Sequence, residues 1–236
     1  FTGFLTIRSQ SGDVYINKIS NYCMVDVTAV SGDFLLAHST LKRVQADLKS
    51  GDIVISNTSA NVFHVNGHSG MLNSNDVDAK EEISYHTISG NMDLENITTK
   101  NFFVDTKSGK IVVNGLTSEN IDLVTDTGII LLNNLAGNGS IKSDVGKINL
   151  SLADKSKFDL SVRSKVGNIT VNVPPAAFFK FKINTKKIGP TDFPLDAIIY
   201  GNDDYDKIEG YVGKENSTNL IDISSKVGKV SIKISN

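Results

Sequence analysis

The sequence predicts an all-β protein built as one parallel β-helix. This is a β-solenoid of about ten to eleven coils of roughly 19 residues each, right-handed by the rule for parallel crossovers, with a modified C-terminal cap. Three observations predict it: a glycine that recurs at a near-constant spacing, apolar alternation on both sides of that glycine, and a break in the pattern where all the prolines cluster. The glycines are Gly12, Gly32, Gly51, Gly70, Gly90, Gly109, Gly128, Gly146 and Gly167, with successive differences of 20, 19, 19, 20, 19, 19, 18 and 21. The residue before them is serine in the first six coils (Ser11, Ser31, Ser50, Ser69, Ser89, Ser108) and Thr127, Val145 or Val166 thereafter. A fixed period of this length marks a solenoid whose coils stack on one another.

Alignment on the glycine exposes the inside of each coil. Two and four residues after it stand pairs such as Val14 and Ile16, Phe34 and Leu36, Ile53 and Ile55, Ile111 and Val113, Ile148 and Leu150. Seven and five residues before it stand Leu5 and Ile7, Val25 and Val27, Phe63 and Val65, Phe102 and Val104, Leu160 and Val162. Period-two alternation means a strand with one buried face, so each coil has a strand on either side of the bend. The inward set occupies odd offsets before the glycine and even offsets after it. The bend therefore absorbs a phase change of one residue, which glycine accommodates through positive φ.

A second corner is expected at the asparagines five or six residues past the glycine, Asn17, Asn57, Asn75, Asn96, Asn114, Asn133 and Asn172. Asparagine tolerates the left-handed conformation, and stacked amides can bond from coil to coil. Beyond it Ile19, Val77, Ile97, Leu116 and Leu135 supply one more inward position, while Ser56 to Asn61 and Asn133 to Gly139 read as surface loops. The apolar set of one coil cannot offset the entropy of ordering 19 residues, so coils are stable only when stacked.

Regularity ends after Val173. Pro174 and Pro175 cannot continue an interior ladder. Phe178 to Ile183 alternates as a strand, Gly189 reads as a degenerate bend, Gly201 to Asp206 as a loop, and the pattern returns at Leu220 to Ile223 and Val227 to Ile232. Residues 1–236 are thus expected to form a single domain, with regular coils over 1–173 and irregular final coils carrying an insertion and a cap over 174–236. Prolines and lysines suit that end, because an open solenoid edge invites aggregation.

Composition limits the function. A net charge of −2 gives no electrostatic footprint for nucleic acid or for an anionic membrane. One cysteine, Cys23, allows neither an intrachain disulfide nor a thiolate cluster. No apolar run approaches the roughly 18 residues of a membrane span, so no membrane insertion by this segment is expected. Phe1 opens abruptly into strand-like sequence, and a targeting or anchoring segment is expected to precede it.

The repeated Ser-Gly-Asp/Lys/Asn-aliphatic-x-aliphatic unit is joined to an ordered ending. That ending is Val173-Pro174-Pro175, an aromatic strand, Gly189, Asp192-Phe193-Pro194, a loop, Ile221-Asp222-Ile223 and Val227-Gly228-Lys229-Val230. With these features the whole chain resembles a bacterial family of domains of unknown function that carries the label adhesin. The chain departs from the pattern where Ser-Gly becomes Val145-Gly146, Val166-Gly167, Ile188-Gly189 and Val227-Gly228. The resemblance implies a β-solenoid at the bacterial cell surface or envelope, and it supplies no catalytic residues.

Several constellations bear on chemistry. Asp126 and Asp144 sit two residues before successive bends, where a carboxylate pair could hold Ca²⁺ or do acid/base work. The same column reads Lys107, Asp126, Asp144, Lys165, so a solvated salt-bridge ladder is the simpler account. Asp13, Asp33 and Asp52 stack just after the bend and read as turn aspartates facing water. His64, His68 and His86 fall six, two and four residues before their bends, offsets that do not converge on one metal. The repeated serines have no aligned His and Asp, so they are architectural. No catalytic, cofactor or metal site is assigned.

Outward apolar residues stand three positions after the bend at Tyr15, Leu35 and Val54, then at Val112 and Leu131; Phe103 also points out. Such a strip either meets a partner or is covered by loops. The expectation is a non-enzymatic binding or scaffolding module at a bacterial surface, with a glycan or protein ligand, no cofactor, and Tyr15, Leu35 and Val54 as the partner strip. The alternatives are a carbohydrate-active β-helix enzyme, a polysaccharide lyase or hydrolase using Asp126 and Asp144, and a purely structural component of an envelope complex.

Overall fold

The computed structural model describes residues 3–20, 23–185, 194, 197–201 and 207–235. The readings placed on Gly189, Asp192, Phe193 and Asn202 to Asp206 lie outside the described residues. All described secondary structure is β, in one 16-stranded sheet wound into a solenoid. The first two bends each join a pair of strands, β1 (Phe4–Ser9) to β2 (Val14–Asn17) and β3 (Met24–Ala29) to β4 (Phe34–Ala37). After β5 (Arg43–Leu48), β6 (Ile53–Ser69), β7 (Leu72–Ser89) and β8 (Met92–Val145) run unbroken around successive corners. Thus Ser56 to Asn61 and Asn133 to Gly139 are ladder segments rather than loops: Thr58, Ala60 and Leu135 point inward and are buried.

Coils stack in parallel register, as in Leu5–Val25–Val44–Phe63–Ile83–Phe102 along the side before the bend. These residues and the inward set after the bend form one continuous apolar core, with Leu5, Ile7 and Ile19 only partly covered at the N-terminal end. The stack amounts to about eight complete parallel coils rather than ten to eleven. The third side pairs as a continuous ladder in the middle of the rod, from Thr58–Val77 and Val77–Ile97 to Leu135–Leu152, and in the first layers through single backbone bonds such as Thr40 N to Ile19 O and Leu41 N to Ser59 O.

The bend glycines sit directly on one another. A Cβ on Gly109 would lie 2.0 Å from the carbonyl oxygen of Gly90, at φ 137, so any side chain would collide with the coil below. The left-handed residue of the second corner is uniformly the sixth after the bend: Lys18, His38, Asn57, Asp76, Asn96, Gly115 and Asn134. Among the expected asparagines only Asn57 and Asn96 hold it. Asn17, Asn75, Asn114 and Asn133 precede it, and there Asn133 donates its amide to Asn114 Oδ1 at 2.7 Å.

The last layers depart from chain order. β9 (Ile148–Leu152), β10 (Asp159–Val166) and β11 (Ile169–Val173) complete the regular stack. The next layer is not β12 (Phe179–Thr185) but the end of the chain, β15 (Leu220–Val227) and β16 (Val230–Ile234). β15 lies in parallel between β10 and β12, with Leu160–Ile221–Phe181 in register, and β16 pairs with β11. Gly228 therefore stacks on Gly167. Beyond β12 the sheet turns antiparallel through β14 (Lys207–Val212) to β13 (Ala197–Gly201), which closes this end. Among the described strands of 174–236, the chain thus passes over one layer and returns to fill it.

Candidate binding surfaces

The Ser-Gly-Asp corner is a device that joins coils. The aspartate after the glycine accepts the backbone N–H of its counterpart in the next coil: Asp33 N donates to Asp13 Oδ1 at 2.9 Å, Asp52 N to Asp33 Oδ1 at 2.8 Å, and Met71 N to Asp52 Oδ1 at 2.7 Å. Asn91 receives Lys110 N, and Asn168 receives Lys229 N, in the same way. The serine before the glycine reaches back: Ser31 Oγ donates to Gln10 O at 3.2 Å and Ser69 Oγ to Lys49 O at 3.2 Å. Asp13, Asp33 and Asp52 are thus exposed, yet they are struts between coils rather than turn charges facing only water.

The other chemistry-bearing residues are tied up similarly. Lys165 Nζ pairs with Asp144, while Asp126 stands exposed one corner below, so the mixed-charge ladder forms at that end. Arg43 Nη2 lies 3.3 Å from His64 Nδ1, and His64 Nε2 lies 2.9 Å from Glu82 Oε1. A guanidinium only donates and a carboxylate only accepts, so in this arrangement Nδ1 accepts from Arg43 and Nε2–H donates to Glu82. His86 donates Nδ1–H to Asp105 Oδ2 at 3.0 Å. Each histidine faces a carboxylate of the coil above rather than the other histidine. His68 is exposed, and among the described residues no group of three or more His, Cys, Asp or Glu converges.

Outward apolar residues line up on the first three coils. Tyr15, Leu35 and Val54 are neighbours in register on three successive coils. Tyr15 is 68% exposed, while Leu35 and Val54 are half-buried. The phenol of Tyr15 donates to Asp13 Oδ2 at 3.2 Å, and the charge of Asp13 raises its pKa above the ordinary tyrosine value. The column ends at Asn73, which follows Val54 in register. Phe103 is 38% exposed on a different side.

Two features escape a reading by residue type. Val145, Val166 and Val227 stack in register as an exposed ridge on the corner where earlier coils carry serine. Their signal was the replacement of Ser-Gly by Val-Gly. Inside the same corner, three residues before the bend, lie the buried hydroxyls Thr87, Thr106, Thr125, Ser143, Ser164 and Ser225. Thr87 Oγ1 donates to Thr106 Oγ1 at 2.9 Å.

A third surface is concave. The connections 153–158, 174–178 and 213–219 lead into β10, β12 and β15, which are neighbours in the sheet, and together they enclose a cleft of about 440 Å³.

Stacked parallel coils with joined corners and no helix among the described residues define a β-solenoid domain. Among the described residues, no helix is long and apolar enough to cross a membrane. The chain belongs to the Toastrack DUF4097 family, a family of domains of unknown function, whose model matches residues 2–79 and 61–233. A comparison with curated proteins and with solved structures gives no match.

Proposed function

We propose that this domain is a non-enzymatic binding module of the bacterial cell envelope, which presents a ligand-facing column on a rigid rod. The observation that carries the proposal is the register of Tyr15, Leu35 and Val54, which aligns three apolar side chains outward on successive coils with the tyrosine largely exposed. Repeat proteins use such one-dimensional arrays as extended binding faces, and an amphipathic tyrosine suits a glycan or protein surface. The engagement of Asp13, Asp33, Asp52 and Asp144 in holding coils together supports binding over catalysis, since a general acid or base must be available to a substrate.

A glycan and matrix-protein array probed with the purified domain, beside a polysaccharide-cleavage assay, tests the proposal. Binding lost in Tyr15→Asp without turnover supports it. Turnover abolished by Asp126→Ala or Asp144→Ala would establish a carbohydrate-active enzyme instead, and silence in both assays would favour a structural envelope component.

A further inference from the structure

The cleft at the C-terminal end exists because the chain fills its layers out of order. In the middle coils the third side is packed by Val77, Ile97, Leu116 and Leu135, all buried. Past Leu152, which still pairs with Leu135, that side is replaced by the three connections that enter β10, β15 and β12. Because those strands are adjacent, segments 61 residues apart, such as Asp159 and Leu220 in register, bring their loops side by side. The space they leave is within the range of small-molecule sites.

The walls are fixed by their own hydrogen bonds. Asn219 Oδ1 accepts Phe158 N at 3.3 Å while its Nδ2 donates to Phe178 O at 3.0 Å. Ser217 Oγ donates to the same carbonyl at 2.7 Å and accepts Asn219 N at 3.3 Å. Each loop also closes its own turn, through Ser156 N to Ala153 O, Ala177 N to Pro174 O and Ser217 N to Lys214 O. A cleft held this way loses little entropy on binding.

Its charge is one-sided. Lys155, Lys157 and Lys214 line it against the single carboxylate of Asp154, and among the described residues none of these lysines forms an ion pair. Lys214 is held over the Phe178 ring, 5.3 Å from its centroid. Three exposed lysines around one cleft give it a positive local potential that favours an anionic ligand. The rest of the lining is divided between the hydroxyls and amides of Ser156, Ser217, Thr218, Asn216 and Asn219 and an apolar wall of alanines, Pro174 and the exposed Phe178 ring. That mixture suits a saccharide, with its hydroxyl edges and C–H faces, better than a bare oxyanion.

We propose that this cleft binds a carboxylate-bearing saccharide, with Lys155, Lys157 and Lys214 receiving the acid group. The inference rests on the binding-module reading and adds to it a second site, remote from the Tyr15 column. The test is calorimetric titration of the whole chain with trigalacturonate, maltotriose and inorganic phosphate, repeated on the Lys155→Ala, Lys157→Ala, Lys214→Ala triple variant and on Tyr15→Asp. The expected result is saturable binding of trigalacturonate at least about tenfold tighter than of maltotriose, and weakened by about tenfold or more in the lysine variant at unchanged thermal midpoint. Tyr15→Asp should leave it unchanged. No trigalacturonate binding, equal affinity for maltotriose, full displacement by equimolar phosphate, or undiminished binding by a folded lysine variant would each overturn the proposal. If array binding that depends on Tyr15 survives such a failure, this inference alone falls; if Tyr15-dependent binding is also absent, the binding-module reading falls with it.

Discussion

The backbone N–H of Asp52 donates to the carboxylate of Asp33 at 2.8 Å, one coil to the next across the glycine corner. Asp33 N donates in turn to Asp13, and Met71 N to Asp52, so the first four corners are linked by a chain of side-chain acceptors. Asp33→Ala should therefore destabilise the domain by about 1 kcal/mol, as loss of a capping side chain does, while Asp33→Asn, which keeps an acceptor oxygen, should stay within a few tenths of wild type. Urea unfolding of the two variants checks this.

The stacked glycines give a sharper contrast. In Gly109→Ala the methyl meets Gly90 O and the backbone is held at φ 137, so a loss of about 3 kcal/mol or more is expected. At Gly12, the first glycine of the column, a Cβ meets nothing within 4 Å, and only the strain of φ 103 remains. Gly12→Ala should cost about 1 kcal/mol. The difference in denaturation midpoints between the two variants measures the stacking itself.

How far the sequence discloses this architecture depends on which link is considered. The inward residues at Phe34, Ile55, Phe102 and Val162 follow from spacing alone, because burial on a strand has period two and all four are buried. The Asp13–Asp33–Asp52 column was visible, but its role was not, since an aspartate in a turn and an aspartate bonded to the next coil are the same letters. Buried Thr87 and Thr106 were hidden for the opposite reason: polar residues do not register in an apolar pattern. The return of β15 between β10 and β12 joins residues 61 apart, such as Leu160 and Ile221, and a periodic reading extends only to the next repeat. A signal was present nonetheless: Val227-Gly228 repeats Val166-Gly167, on which it stacks, whereas Gly189 follows an isoleucine. The cleft could not be read at all, because it arises from that strand order.

Tyr85 is buried, its phenol 2.8 Å from Ser74 Oγ and its ring edge-on to Phe102 at a centroid distance of 6.4 Å. Burial pushes its pKa well above the ordinary value, a shift that the Ser74 bond partly opposes. A tyrosine whose pKa is raised on folding contributes stability that is fully present below its unfolded pKa of about 10 and is lost as pH rises above it. Stability should therefore fall in alkali, and Tyr85→Phe should flatten that fall. At neutral pH the same variant should lose about 1–2 kcal/mol, since Ser74 is left buried without its partner. Unfolding curves taken across the alkaline range report both effects.

Asp144 and Lys165 are about half exposed, with side-chain exposures of 47% and 58%. A double-mutant cycle on Asp144→Ala and Lys165→Ala should give a coupling of about 0.2–1 kcal/mol that fades in high salt. A larger coupling that resists salt would indicate a buried electrostatic role for the ladder.

Leu35→Asp places a charge in the middle of the outward column between Tyr15 and Val54, while Asp144→Ala removes a residue engaged with Lys165. The most direct measurement is the binding of these two folded variants, beside wild type, to the ligand that the array identifies, with each variant's unfolding free energy determined in parallel. The account predicts that Leu35→Asp weakens binding by about tenfold or more at nearly unchanged stability, and that Asp144→Ala leaves binding intact. Full binding by Leu35→Asp, or loss of binding in a stable Asp144→Ala, would contradict it.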